Sequence, residues 1–178
     1  MVGFLSRLRP ARRPGLPAEA AAALELEAGE RLLAWAGLPG GFAAATVEGL
    51  RVLTPRGRLV RRPWVDVDHA AWDEDSGTLA VWWVGSRQAT PLEVGQGSFL
   101  PEVVHERVRA SVVLTREVAL PGGLSATVAL RKAADGVLST QVLPGRGVDT
   151  ADPQVAALLA RARAGLREEA GLAPDTLA

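Results

Sequence analysis

Between Arg61 and Trp83 the chain reads RRPWVDVDHAAWDEDSGTLAVWW, gathering the carboxylates Asp66, Asp68, Asp73, Glu74 and Asp75 around His69, one of two histidines. Oxygen and imidazole donors are what a divalent cation needs, and a carboxylate pair such as Asp66 and Asp68 is what acid–base chemistry needs. The spacing argues against both. Neighbouring strand residues point to opposite faces, so Asp68 and His69 cannot converge on one ion without a bulge. The run from Asp73 to Gly77 begins like a calcium loop, but Gly77 falls at the third ligand position, Thr78 at the required glycine and Val84 at the bidentate glutamate. Solvated acids on a strand and a turn are the expectation.

Other constellations are equally incomplete. Glu102 and His105 have the spacing of half a di-iron site, but no second copy exists. A zinc-protease reading of His105-Glu106 fails because Arg109 stands where the second histidine belongs. Gly95-Gln96-Gly97 precedes a helical pattern as a dinucleotide loop does, yet Leu100 takes the third glycine position, and Gly145-Arg146-Gly147 has Thr150 there. There is no cysteine and no Gly-x-Ser-x-Gly, so a thiol nucleophile or a serine elbow is excluded. No catalytic residue, metal or cofactor is expected. An enzyme would need a nonstandard cleft that joins Trp82 or Trp83 to His69 and Asp68.

Two features suit binding. Arg51, Arg56, Arg58, Arg61 and Arg62 lie on consecutive predicted strands, where they either pair with neighbouring acids or offer a surface to an anion or an acidic partner. Trp82-Trp83 must place one indole on each face of its strand. One joins the core; the other lies beneath the C-terminal part of the chain or forms an exposed patch for a partner.

The elements that must position these residues follow from composition and period. At 178 residues with 48 % hydrophobic content the chain can bury a core of its own. Its formal net charge is zero, which removes the basic excess expected of a nucleic-acid binder. No apolar run approaches the roughly 20 residues of a spanning helix, and the start is too short and broken for a signal segment, so a cytoplasmic location is expected. Residues 1–17, with Arg7, Arg9, Arg12 and Arg13 and no acid, read as a basic tail that could touch anionic lipid weakly.

Ala18 to Glu30 is rich in helix formers, with Gly29 as its expected cap. Short alternating runs then predict strands at Arg31–Gly37, Phe42–Val47, Leu50–Thr54, Arg58–Arg61, Asp68–Asp73, Thr78–Val84 and Gln88–Val94. A helix beginning near Ser98 closes this first unit, which spans 18–111. Val112–Leu120, Leu124–Arg131 and Val137–Leu143 form a meander, and a helix capped by Asp152-Pro153 completes a β-β-β-α unit over 112–172, leaving 173–178 as a tail. Three strands are marginal alone, so this second unit is expected to pack on the first or on another chain.

Seven strands and a closing helix, with GERLLAWA, AATVEGLRVL, RRPWVDVDHAAWD, TLAVWW and FLPEVVHERV in that order, resemble the bacterial PH-like, or GRAM-like, domains and a group of actinobacterial proteins built this way. The resemblance covers about residues 28 to 111. It implies a mainly β, α+β fold, with a seven-stranded antiparallel barrel or sandwich. It further implies that Thr46, Gly49 and Leu50 form the second hairpin, that Pro63, Trp64 and Val67 form a turn, and that Ala70 and Trp72 face inward. The activity implied is non-catalytic, a protein-interaction or scaffolding module, with self-association open. The alternative is a peripheral module that meets anionic lipid through the Arg tail and the Arg51–Arg62 cluster. The loop Leu38-Pro39-Gly40-Gly41 carries no cation, so phosphoinositide binding does not carry over.

Overall fold

The structure, a computed structural model, describes residues 15–27 and 29–173. The predicted basic tail up to residue 14 and the C-terminal tail from 174 lie outside the described residues.

Helix α1 spans only Ala18–Ala23. The expected continuation to Glu30 does not form, and Gly29 caps nothing, because the chain leaves the helix at Leu24 and Glu25 turns with φ of 49°. The reason is tertiary. Ala20 and Leu24 are fully buried, and the Arg51 guanidinium donates to the carbonyls of Leu24 at 3.3 Å and Glu25 at 2.9 Å. A side-chain donor thus replaces the glycine cap that the composition suggested.

Strands β1 (Leu32–Leu38), β2 (Gly41–Thr46), β3 (Gly49–Leu53) and β4 (Leu59–Pro63) form an antiparallel sheet in chain order. A single 3₁₀ turn, Trp64–Asp66, leads into β5 (Val67–Asp73), which pairs with β6 (Thr78–Trp83) and then β7 (Ala89–Glu93). The seven strands therefore divide into two open sheets. Of the predicted barrel or sandwich no closed barrel forms, since β4 and β5 belong to different sheets. Side chains meet β5 where a strand would: Arg131 donates to the Val67 carbonyl at 2.8 Å and His105 Nε2 to that of Ala70 at 2.9 Å.

Both sheets and helix α2 (Leu100–Ser111) share one apolar core. The inward residues of β1 and β2 are alanines, Ala34, Ala36, Ala43 and Ala45, so volume must come from elsewhere. Leu50, Val52, Leu79, Val81 and Leu92 supply it, with Val103, Val104 and Val108 from α2 and Trp64 from the turn. Close packing of this kind fails if small and large residues do not alternate across the gap.

The second unit is the sheet β8 (Val112–Leu120), β9 (Leu124–Lys132) and β10 (Leu138–Pro144), with β9 central, covered by α3 (Pro153–Glu169). Asp152 caps α3 by accepting from the amides of Gln154 at 2.8 Å and Val155 at 3.1 Å. Val155, Leu159, Ala162 and Leu166 then bury one helical face on Leu120, Ala126 and Val128. This core is separate from the first.

Polar side chains join the two units. Arg131, 1 % exposed on β9, donates to the carbonyls of Trp64 and Val67, each at 2.8 Å, and to Ser111 Oγ at 3.0 Å. Gln141 on β10 donates to the Val65 carbonyl at 2.6 Å. The 3₁₀ turn between the sheets is thereby the seat on which the second unit docks.

Candidate interaction surface

The arginine cluster separates once its strands are placed. Arg51 and Arg61 lie opposite each other in the β3–β4 register, on the face turned away from the core. Arg51 is 8 % exposed and grips Glu30 with both Nε and Nη2, while Arg61 pairs with Glu25. Arg62 reaches Asp66 at 3.4 Å. These contacts tie the segment after α1 across the first sheet. Arg56 and Arg58, in the β3–β4 loop, project from the exposed end of the hairpin.

Glu30 reports how this clamp works. Burial pushes its carboxyl pKa up, but hydrogen bonds from the Thr46 hydroxyl, the Glu27 amide and Arg51, with the charge of Arg51, outweigh burial and hold it below its ordinary value. A shallow cleft of about 220 Å³ beside it is lined by Glu30, Glu48, Arg51, Arg61 and Arg62. With Arg51, Arg61 and Arg62 already paired to Glu30, Glu25 and Asp66, and Glu48 adding negative charge, it offers little free positive charge to an anion.

The residues of the resemblance converge. Trp64 is buried and its indole Nε1 donates to the Thr46 carbonyl at 3.0 Å. The Thr46 hydroxyl stands 3.2 Å from both the amide and the carbonyl of Gly49, closing the hairpin. Gly49 pairs with Pro63, and a Cβ there would stand 2.1 Å from the Arg62 carbonyl oxygen, so no other residue fits without moving β4. Leu50 and Val67 are fully buried, and Ala70 and Trp72 pack against the same core. Leu50, Trp64, Val67, Ala70 and Trp72 pack in or against the core the two sheets share, while Thr46, Gly49 and the exposed Pro63 shape the first sheet beside the turn.

His69 and Trp82 face the other way. They are register partners on β5 and β6, and their rings stack with centroids 4.4 Å apart and planes 11° from parallel. Trp82 is half-buried and belongs to neither core, whereas Trp83 packs inward and donates its indole N–H to Thr90 at 2.8 Å. The β5–β6 register shifts between Val67 and His69, and Asp68 Oδ2 comes to 3.1 Å from His69 Nδ1. This is the bulge that strict alternation omits. It yields a dyad without a third partner: no three His, Asp or Glu residues gather into a metal site among the described residues. Asp73 is committed to its turn, accepting from Ser76 Oγ at 2.7 Å and from the Asp75 amide at 3.1 Å. The Ser76 hydroxyl and the Ser76 amide lower its pKa and outweigh an opposing effect of burial, with the Asp75 amide adding the least.

Around this stacked pair the outward positions of β5–β7 are small. Ala71 pairs with Ala80, Ala80 with Pro91 and Trp82 with Ala89, while Asp73, Thr78 and Glu93 stand across the far end. The result is a flat platform with an indole at one end and carboxylates at the other. Pro91 on the outermost strand withholds an amide and blocks edge pairing. The larger clefts are lined by other residues, so His69, Asp68, Trp82 and Trp83 share none of them.

Arg131 is the residue that sequence reasoning passed over. Its signal was a cation on a central strand immediately after the apolar run Val128–Leu130, a position that solvent does not reach. Compared with protein-family models, with curated proteins and with solved structures, the chain has no significant match.

Proposed function

We propose that the chain is a non-catalytic PH-like module, acting in the cytoplasm, that binds a protein partner through the outer face of β5–β7. The supporting observation is the Trp82–His69 stack on an otherwise flat face, outside both apolar cores. An indole at a protein surface combines large contact area with few rotatable bonds, and such residues carry a disproportionate share of interface energy. The carboxylates of Asp73 and Glu93 across the platform favour a partner that brings cations. A second copy of this chain is one such protein. The lipid alternative draws on fewer residues than the sequence offered, because Arg51, Arg61 and Arg62 are engaged with Glu30, Glu25 and Asp66.

A photo-crosslinking residue at Ala80, used in the full chain in its own host, should yield a discrete protein adduct. Trp82→Ala should abolish that adduct, and Arg56→Ala with Arg58→Ala should leave it intact. Loss of the reading follows if Trp82→Ala changes nothing, or if the protein instead co-sediments with anionic vesicles in a manner that depends on Arg56 and Arg58.

A further inference from the structure

The largest cavity among those described lies at the junction of the two units, at about 470 Å³, and is the one that reaches the size usual for small-molecule sites. Its first wall is Val84, which follows β6; its second is Val142 on β10 with Leu159, Ala156 and Ala160 of α3. The stripe that α3 buries on its own sheet centres on Val155, Leu159, Ala162 and Leu166, so Ala156 and Ala160 present a different face to this space. Arg163 also lines the cavity, with Thr150. Its guanidinium has no hydrogen-bond or ion-pair partner among the described residues.

We infer that this cavity binds an amphiphile with a carboxylate head and an unbranched apolar tail, such as a medium-chain fatty acid. The aliphatic walls take the tail, and removing it from water supplies most of the affinity. Arg163 takes the head, because a guanidinium pairs a carboxylate through two parallel hydrogen bonds. The acids of the same helix and its cap do not pair with it: Glu169 is engaged by Arg116 at 2.9 Å, Asp152 caps α3, and Asp149 accepts from the Ala151 amide at 2.9 Å. Since the walls come from both units, the bound molecule bridges them. The site is separate from the Trp82 platform, and either can fail without the other.

Decanoate and uncharged decanol, titrated into the full chain by calorimetry with tryptophan emission as a second signal, test this. Decanoate should bind the wild type. Arg163→Gln should weaken decanoate about tenfold or more while leaving decanol unchanged. Ala160→Trp, which fills the cavity from an exposed helix position, should abolish binding of both. Far-UV circular dichroism should show both variants folded. No decanoate binding by the wild type, or undiminished decanoate binding by either folded variant, overturns the inference.

Discussion

At the scale of single residues, the arginines show how similar side chains take unlike tasks from their surroundings. Arg51 ends a helix, Arg131 joins two units, and Arg163 faces an apolar space without a partner. The Glu30–Arg51 pair carries a prediction with a definite sign. Because the folded protein holds the Glu30 carboxyl below its ordinary value, the unfolded chain binds that proton more readily. Its contribution to stability is present above the ordinary carboxylate range and is lost as pH falls through the lowered value. Urea midpoints at about pH 7 and about pH 3 should therefore differ less in Glu30→Gln than in the wild type. An equal difference in both would assign the acid sensitivity to other groups. The arginine cluster was legible in sequence as charge. Its partners Glu25 and Glu30 were not, because they were read as part of a longer helix.

At the scale of elements, alternation and turn chemistry located every strand to within a residue or two, since a half-buried strand must repeat with period two. The inward Ala70 and Trp72 share one face as that period requires, whereas the turn at Trp64 is an expectation of the resemblance and not of alternation. Helix α1 departs from expectation because propensity favours a longer helix while Arg51 and the buried Leu24 fix an earlier end. The hairpin Thr46–Gly49 depends on one close approach. Gly49→Ala should cost about 1–3 kcal/mol by pushing the Arg62 carbonyl away, measured as a shift in the denaturation midpoint. Gly41 meets the Leu53 carbonyl in the same way, so Gly41→Ala should show a comparable loss, whereas a neutral result at both positions would mean that the strands separate freely.

At the scale of the whole molecule, two cores of independent composition are joined by hydrogen bonds from Arg131 and Gln141 rather than by a shared apolar interface. Burial lowers the Arg131 pKa, opposed by the charges of Asp68 and Asp66, and the guanidinium stays protonated because its ordinary value is so high. Arg131→Met removes the guanidinium hydrogen bonds to the carbonyls of Trp64 and Val67 and to Ser111 Oγ at a buried junction, and should cost about 3 kcal/mol or more. All tryptophans, at 35, 64, 72, 82 and 83, lie in the first unit, so their emission follows that unit alone while far-UV circular dichroism follows both. The wild type should give coincident thermal transitions by the two signals, and Arg131→Met should separate them. Coincident transitions in the variant would show that the junction does not depend on this side chain. The sequence by itself determined the order of strands and helices along the chain, the three-stranded meander of the second unit, the alternation of inward and outward faces and the Asp152 cap of α3, because those depend on periods and local backbone chemistry. Only the tertiary structure decided that the first seven strands stay as two open sheets, that Arg51 and Arg131 are consumed internally, that His69 stacks on Trp82, and that an apolar cavity opens beside Arg163. Each of these joins residues far apart in the chain, where burial and partner geometry, rather than spacing, set the energy.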